Sequence, residues 1–293
     1  MRYSVIIPVY NRPDEVDELL QSLTQQSFKD FEVIVVEDGS SIPCKPVTEK
    51  YQELLDVHYY DKPNSGPGQT RNYGVERSKG EYLIILDSDC ILPEGYFLAV
   101  EEELQHEAAD AFGGPDRAHE SFTNIQKAIN YSMTSFFTTG GIRGGKKKMD
   151  KFYPRSFNMG VRQEVYQALG GFSRMRFGED IDFSIRIFKG GYTCRLFPGA
   201  WVYHKRRTDF RKFFKQVHNS GIARINLYKK YPESLKLVHL LPAAFTLGVA
   251  IFLLGTPFCP YSLLPIALYA LLVCMDSTIR NRSCLLYTSD AAD

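Results

Sequence analysis

A chain of 293 residues has room for about two domains, and with 44% hydrophobic and 24% charged residues it can bury a globular core. Fifteen Pro and 22 Gly are too few for a collagen-like or disordered tract, and six Cys without a CxxC pair or a short Cys/His spacing exclude a zinc ribbon or disulfide scaffold and fit a reducing compartment. The formal net charge of +1 hides an asymmetry: residues 1–100 carry −8, residues 101–139 carry −5 and residues 140–236 carry +15, so the second half is suited to an anionic partner.

In chain order, residues 2–8 (RYSVIIP) form an apolar run that predicts a strand, too short for a signal-peptide core and without a small-residue cleavage site. Asn11 then supplies a helix-capping residue, Pro13 suits a first helical turn, and Val16, Leu19, Leu20 and Leu23 follow at helical spacing. Residues 31–37 (FEVIVVE) predict a second strand ending in Asp38-Gly39-Ser40, residues 57–60 a short third strand and residues 68–78 a helix. Residues 81–86 (EYLIIL) predict a further strand that ends in Asp87-Ser88-Asp89. Apolar strands alternating with helices predict an α/β fold whose parallel sheet is covered on both faces. Ligands of such sheets bind beyond the carboxyl ends of the strands, where three loops converge: Pro8 to Asn11, Glu37 to Ser40, and Asp87 to Asp89.

No GxGxxG follows the first strand and no GxxxxGK[ST] occurs, which removes the main support for a dinucleotide fold or a P-loop. Asp87 and Asp89 stand two apart, so in extended chain they point to one side and suit a shared hard cation that keeps positions open for phosphate oxygens. An acidic pair at a strand end also serves as a turn or cap.

From Thr139 to Lys148 four Gly and four basic residues predict a mobile loop, either a lid over diphosphate or acceptor or a solvated connector. Residues 204–215 (HKRRTDFRKFFK) interleave basic and aromatic side chains, and Phe210, Phe213, Phe214 and Val217 fall at the spacing of an interfacial helix. With a pI of about 7.6 and no binding motif, nucleic acid is not expected as a partner. Residues 237–275 contain no Asp, Glu, Lys or Arg and divide near Gly255 to Pro260, which predicts a transmembrane helical hairpin at 237–276; the alternative is a helical pair inside a soluble core. Lys229, Lys230 and Lys236 before it and Arg280 and Arg282 after it put both ends in the cytoplasm, so the expected location is the cytoplasmic (inner) membrane with the catalytic part facing the cytoplasm. Residues 284–293 resemble a foreign read-through tail.

Four stretches together, VIIPVYNRPDEVDELLQSLTQQSFKDFEVIVVEDGS, GQTRNYGVERSKGEYLIILDSDC, FNMGVRQEVYQALGGF and GEDIDFSIRIFKGGY, resemble the family 2 inverting glycosyltransferases of bacteria, over about residues 2–204. The resemblance implies the GT-A fold, a Rossmann-like, mixed but mostly parallel α/β sheet with helices on both faces, divided into a nucleotide-sugar-binding half (1–115) and an acceptor-binding half (116–230). It implies metal-dependent transfer of a sugar from a nucleotide-sugar donor, with UDP favoured, to a hydroxyl of a glycan or lipid-linked acceptor in cell-surface polysaccharide or glycolipid synthesis. Carried over residue by residue, Pro8, Tyr10, Glu37, Asp38, Arg71 and Asp87 line the nucleotide sugar. Asp87 and Asp89 hold a divalent metal, Mg or Mn, Asp180 is the catalytic base, and His204 is either a further metal ligand or a hydrogen-bonded structural histidine. Glu37 departs from the Asp that the family often carries there.

These roles agree with the chemistry of the residues. Asp38 can accept the N3–H of uracil, whereas cytosine presents an acceptor there; guanine's N1–H also satisfies it, and Asp38 can equally be a turn residue before Gly39. Arg71 suits diphosphate oxygens or a surface ion pair. Glu179, Asp180 and Asp182 favour a helix N-terminus, with Asp182 and Arg186 an exposed i,i+4 pair and Ile181, Ile185 and Phe188 the buried face. The QxxRW segment of processive synthases is missing, which favours single-sugar transfer. Two other readings are a sugar-nucleotide nucleotidyltransferase, whose Gly-rich opening is missing, and a catalytically silent pseudoglycosyltransferase scaffolding a membrane complex, against which Asp87, Asp89 and Asp180 argue.

Overall fold

The computed structural model describes residues 1–117, 123–139, 152–205 and 209–281. The basic loop from residue 140 onward, residues 206–208, Arg282 and the 284–293 tail lie outside the described residues. The chain forms two compact units, Met1–Ser121 with Lys148–Lys205 and Phe122–Lys147 with Arg206–Asp293.

The first unit begins β1 (Tyr3–Val9), α1 (Pro13–Thr24), β2 (Phe31–Asp38), α2 (Lys45–Glu49), β3 (Val57–Lys62), α3 (Pro67–Val75), β4 (Tyr82–Leu86), β5 (Cys90–Ile91), α4 (Tyr96–His106), β6 (Ala111–Gly113) and β7 (Asp116–Arg117). The chain passes through α5 (Asn124–Thr134) and α6 (Phe136–Thr139) of the second unit and returns as β8 (Asn158–Arg162), α7 (Gln163–Ala168), α8 (Glu179–Lys189), β9 (Cys194–Leu196) and β10 (Val202–His204). The second unit ends with α9 (Phe210–Lys230), α10 (Leu241–Leu254) and α11 (Leu264–Asn281).

Seven strands form one sheet in the order β3-β2-β1-β4-β8-β6-β9. β1 runs parallel to β2 and β4, with Tyr3 opposite both Phe31 and Tyr82, and β8 is antiparallel to β4 and β6. Side chains alternate across a strand, so each strand feeds two cores. Val5, Ile7, Val33 and Val35 pack with Leu19 and Leu20 of α1 and Phe97 of α4. Ile6, Ile34 and Val36 pack with Val75 of α3, Val165 of α7 and Phe183 and Ile187 of α8. Both faces are therefore covered, and each fully buried Val, Ile, Leu or Phe contributes about 1.5–3 kcal/mol relative to exposure. A second sheet, β5-β10-β7, has strands of only two or three residues.

Asn11 does not cap α1: the residue before the helix is Arg12, without a side-chain cap bond. Asn11 takes a positive φ of 54°, and its Oδ1 accepts from the N–H groups of Ser41 (2.8 Å) and Ile42 (3.0 Å). The capping residue of the sequence pattern instead ties the loop after β1 to the loop after β2.

In the second unit α5 starts with a capping box, Thr123 Oγ1 accepting from Gln126 N–H while Gln126 Oε1 accepts from Thr123 N–H. Asp276 of α11 accepts from Tyr131 (2.7 Å) and Ser135 (2.8 Å). Two apolar helical stretches, Leu237–Leu254 and Tyr261–Ile279, are long enough to cross a membrane, and neither is buried. α9 exposes Phe210, Phe214 and Val217 while Ala223 and Leu227 are buried.

Candidate active site

The carboxyl ends of β1, β2 and β4 and the start of α8 bring the acidic residues together. Pro8 lies in β1 opposite Val36, and Tyr10, just past the strand, is exposed. Glu37 and Asp38 end β2 and are both buried. Glu37 braces its loop, accepting from Cys44 N–H (2.7 Å) and from the Ser40 hydroxyl. Asp38 accepts from Lys62 Nζ (2.5 Å) and Ser65 N–H (2.9 Å) on one oxygen and Gly66 N–H (2.9 Å) on the other. Burial opposes its charge, but the bonds from Lys62, Ser65 and Thr70 prevail and hold its pKa below the ordinary value. The strand leaves Asp38 through Gly39 at φ 71°, where an added Cβ would fall 2.8 Å from the Asn64 backbone nitrogen.

Arg71, on α3, is buried rather than in a surface pair. Its guanidinium donates to Asp87 (2.7 Å), just past β4, and to Glu179 (3.0 Å), the first residue of α8, and lies over the Phe172 ring. Burial disfavours that charge, yet Asp87 and Glu179 outweigh burial and keep the guanidinium ionised. For Glu179, burial dominates over the pull of Arg71, and its pKa is raised.

Asp89 is buried at the start of the short sheet. One oxygen accepts from Arg12 (2.5 Å) and the other lies 3.2 Å from His204 Nε2. The antiparallel pairing of β10 with β5 sets His204 opposite Cys90, and the imidazole stacks on Phe157 with centroids 4.7 Å apart. Burial would lower the pKa of His204, but the charge and hydrogen bond of Asp89 raise it overall; burial would raise that of Asp89, and His204 and Arg12 depress it strongly. His204 Nδ1 is buried with no hydrogen-bond partner among the described residues.

A ligand atom of Asp89, Cys90 and His204 each lies within 4.8 Å of the others. The 3.2 Å between Asp89 and His204 is close to the roughly 3 Å between adjacent ligands of an octahedral ion with bonds near 2.1 Å. A carboxylate and an imidazole, with Asp87 two residues away, are donors that fit a divalent cation.

Asp180 lies in the first turn of α8, where the helix N-terminus favours a carboxylate. Gly178 precedes the helix at φ 84°. Asp180 accepts from its neighbour's N–H, Ile181 (2.8 Å), and pairs with Arg155 at 3.4 Å. Asp182 is not exposed: its side chain is 0% accessible and accepts from Arg186 (3.0 Å), whose other nitrogens donate to the carbonyls of Leu169 and Gly171. Of the expected core face of α8, Ile181 and Ile185 are buried while Phe188 is half-buried against Tyr153, and Phe183 and Ile187 are buried as well.

The sequence reading missed Arg12, Lys62 and Arg155. Arg12 had a signal, its place in the first converging loop; Lys62 ends a strand two residues longer than the predicted 57–60; Arg155 had none.

A family model described as Glycosyl transferase family 2 matches residues 4–170. An uncharacterized glycosyltransferase of Haemophilus influenzae is 30% identical over 193 residues, 64% of this chain and 62% of that protein. The chain spans less than two thirds of the length of the first curated relatives it matches. Two solved structures share the fold: S. aureus TarS 1–349 in complex with UDP-GlcNAc, at 20% identity and TM-score 0.55 over 79% of this chain and 73% of that one, and a mannosyltransferase from Pyrobaculum calidifontis in complex with GDP-Man and Mn2+, at 18% identity and TM-score 0.60 over 95% and 80%.

Proposed function

The chain belongs to glycosyl transferase family 2, and from that premise we propose that its crevice transfers a sugar from a UDP-sugar to a hydroxyl of a glycan or lipid-linked acceptor, with inversion at the anomeric carbon. The observation that carries this reading is the single Arg71 guanidinium bonded to both Asp87 and Glu179. It brings the strand end that precedes Asp89 to the helix start that carries Asp180.

Asp38, fixed by Lys62 and two backbone N–H groups and held ionised, accepts the uracil N3–H, with Tyr10 and Pro8 beside the base. A likeness to a TarS structure that contains UDP-GlcNAc supports a nucleotide-sugar donor. Asp89 and His204, with Asp87 two residues away, would hold a divalent ion, and the likeness to a mannosyltransferase structure that contains Mn2+ supports such an ion. When bound there, a divalent ion would supply positive charge for the departing nucleoside diphosphate. In an inverting displacement the acceptor oxygen bonds to the anomeric carbon as the bond to the diphosphate breaks on the opposite face. Asp180 takes the acceptor's proton, and Arg155 at 3.4 Å orients it.

The two unburied apolar stretches and the exposed Phe210 and Phe214 support attachment to the cytoplasmic membrane, with the catalytic unit on the cytoplasmic side and the product a surface polysaccharide or glycolipid. A panel of sugar nucleotides given to the purified full chain, scored by metal-dependent donor hydrolysis, tests the reading. Turnover of a UDP-sugar that needs Mn or Mg is expected. Turnover of GDP-sugars alone would assign Asp38 to guanine, and none with any donor would leave a scaffold.

A further inference from the structure

The opposite end of the sheet holds a second group of donor atoms. Glu32 stands near the start of β2, and Asp56 and His58 flank the start of β3, the edge strand. Glu32 is fully buried, and its Oε1 is committed, accepting from Ser4 Oγ (2.6 Å) and Lys79 N–H (2.7 Å). Among the described residues its Oε2 has no hydrogen-bond partner, and neither has His58 Nε2. These two atoms face each other at 3.7 Å, and Asp56 Oδ1 lies 3.0 Å from the same imidazole nitrogen.

We propose that Glu32, Asp56 and His58 bind a zinc-like divalent cation that clamps β3 to β2, a site separate from the one at Asp89. Three arguments converge. A buried carboxylate with a bare oxygen is costly without a cation, and Ser4 and Lys79 hold Glu32 so that only that bare oxygen is available. The separations of 3.0 and 3.7 Å bracket the roughly 3.3 Å between ligands of a tetrahedral ion with bonds near 2.0–2.1 Å. Two carboxylates and an imidazole are a donor set that suits zinc, with the fourth position left to water. Asp56 and His58 are partly accessible, with side-chain exposures of 51% and 36%, so an ion can enter from solvent over the Glu32 floor. Glu32 and Asp38 lie at opposite ends of β2, which at about 3.3 Å per residue separates them by roughly 20 Å.

The test uses the full chain carrying Asp89→Ala, so that the other candidate site does not contribute. Zinc chloride titrated by calorimetry should bind once per chain and raise the thermal midpoint. Adding His58→Asn, or separately Asp56→Asn, should weaken zinc binding at least tenfold and remove the shift in midpoint. Cobalt in the site should show the visible d–d absorption of a four-coordinate ion, which His58→Asn should abolish. No zinc uptake by the Asp89→Ala protein, or uptake indifferent to both further substitutions, would overturn the site and leave His58 as a bridge between two carboxylates.

Discussion

α1 and α10 are built from similar apolar residues and meet opposite surroundings. In α1 the residues Val16, Leu19, Leu20 and Leu23 are fully buried, and the acidic residues stand on the other face. In α10 no residue is buried, and Leu247, Ile251 and Leu254 are exposed by 65%, 67% and 75%. A helix with an apolar stripe completes a protein core, while one that is apolar all round needs an apolar solvent. The α/β unit follows the first rule, and there charged groups are buried in paired sets such as Arg71 with Asp87 and Glu179. In the proposed function the chemistry resides in the α/β unit and the two apolar stretches attach the chain to a membrane.

The largest expected effect breaks the chemistry and leaves the structure intact. Asp180→Asn keeps the shape but cannot accept a proton, so turnover on a true acceptor should fall by roughly 10²–10⁴ with donor affinity nearly unchanged. Steady-state kinetics beside donor calorimetry check both halves. Two residues on, Asp182→Asn should act on stability: it removes the charge that Arg186 meets in a buried pair, for a cost of about 3 kcal/mol in denaturant unfolding. If the two substitutions exchanged these phenotypes, the base would lie on the other side of the helix.

Leu19→Ala and Leu247→Ala sharpen the comparison of the two helices. The first should cost about 2–5 kcal/mol of unfolding free energy in the α/β unit through the cavity it leaves. The second should leave that unit's unfolding unchanged and weaken membrane insertion by only about half a kcal/mol. Release of the unmodified chain from membranes by carbonate, without detergent, would contradict insertion of either apolar stretch.

The smallest effect is a pH shift at Asp38. Its folded pKa is lowered, so the stability that its bonds contribute is present above the unfolded value near 3.8 and is lost as pH falls through the lower folded value. Lys62→Met should move the acid-unfolding midpoint toward neutral pH, measured by circular dichroism.

The first half of the fold was legible because β1, β2 and β4 are continuous apolar runs that end in loops of distinctive composition. The acidic loops could be assigned to the crevice for the same reason, since topology sends the carboxyl ends of parallel strands to one edge. The pairing of Cys90 with His204 was not legible: it joins strands of two and three residues far apart in sequence, too short to leave a period. Asp182 was misread because an acid in the first turn of a helix is ordinarily solvated, and only the position of Arg186 under the Leu169–Gly171 turn explains its burial. Lys62, the partner of Asp38, depends on a tertiary distance that spacing does not encode, whereas Arg12, the partner of Asp89, stands in the first converging loop.

The proposed function stands on a nucleotide site that works through a cation at Asp89 and His204, whose charge would add to that of Arg12 and Arg71, already paired with Asp89 and Asp87. The direct measurement is calorimetric titration of UDP into the full chain with Mn2+ and again in EDTA, repeated with Asp89→Ala. The account predicts binding that requires Mn2+ and that Asp89→Ala abolishes. Equal UDP affinity in Mn2+ and in EDTA would contradict it.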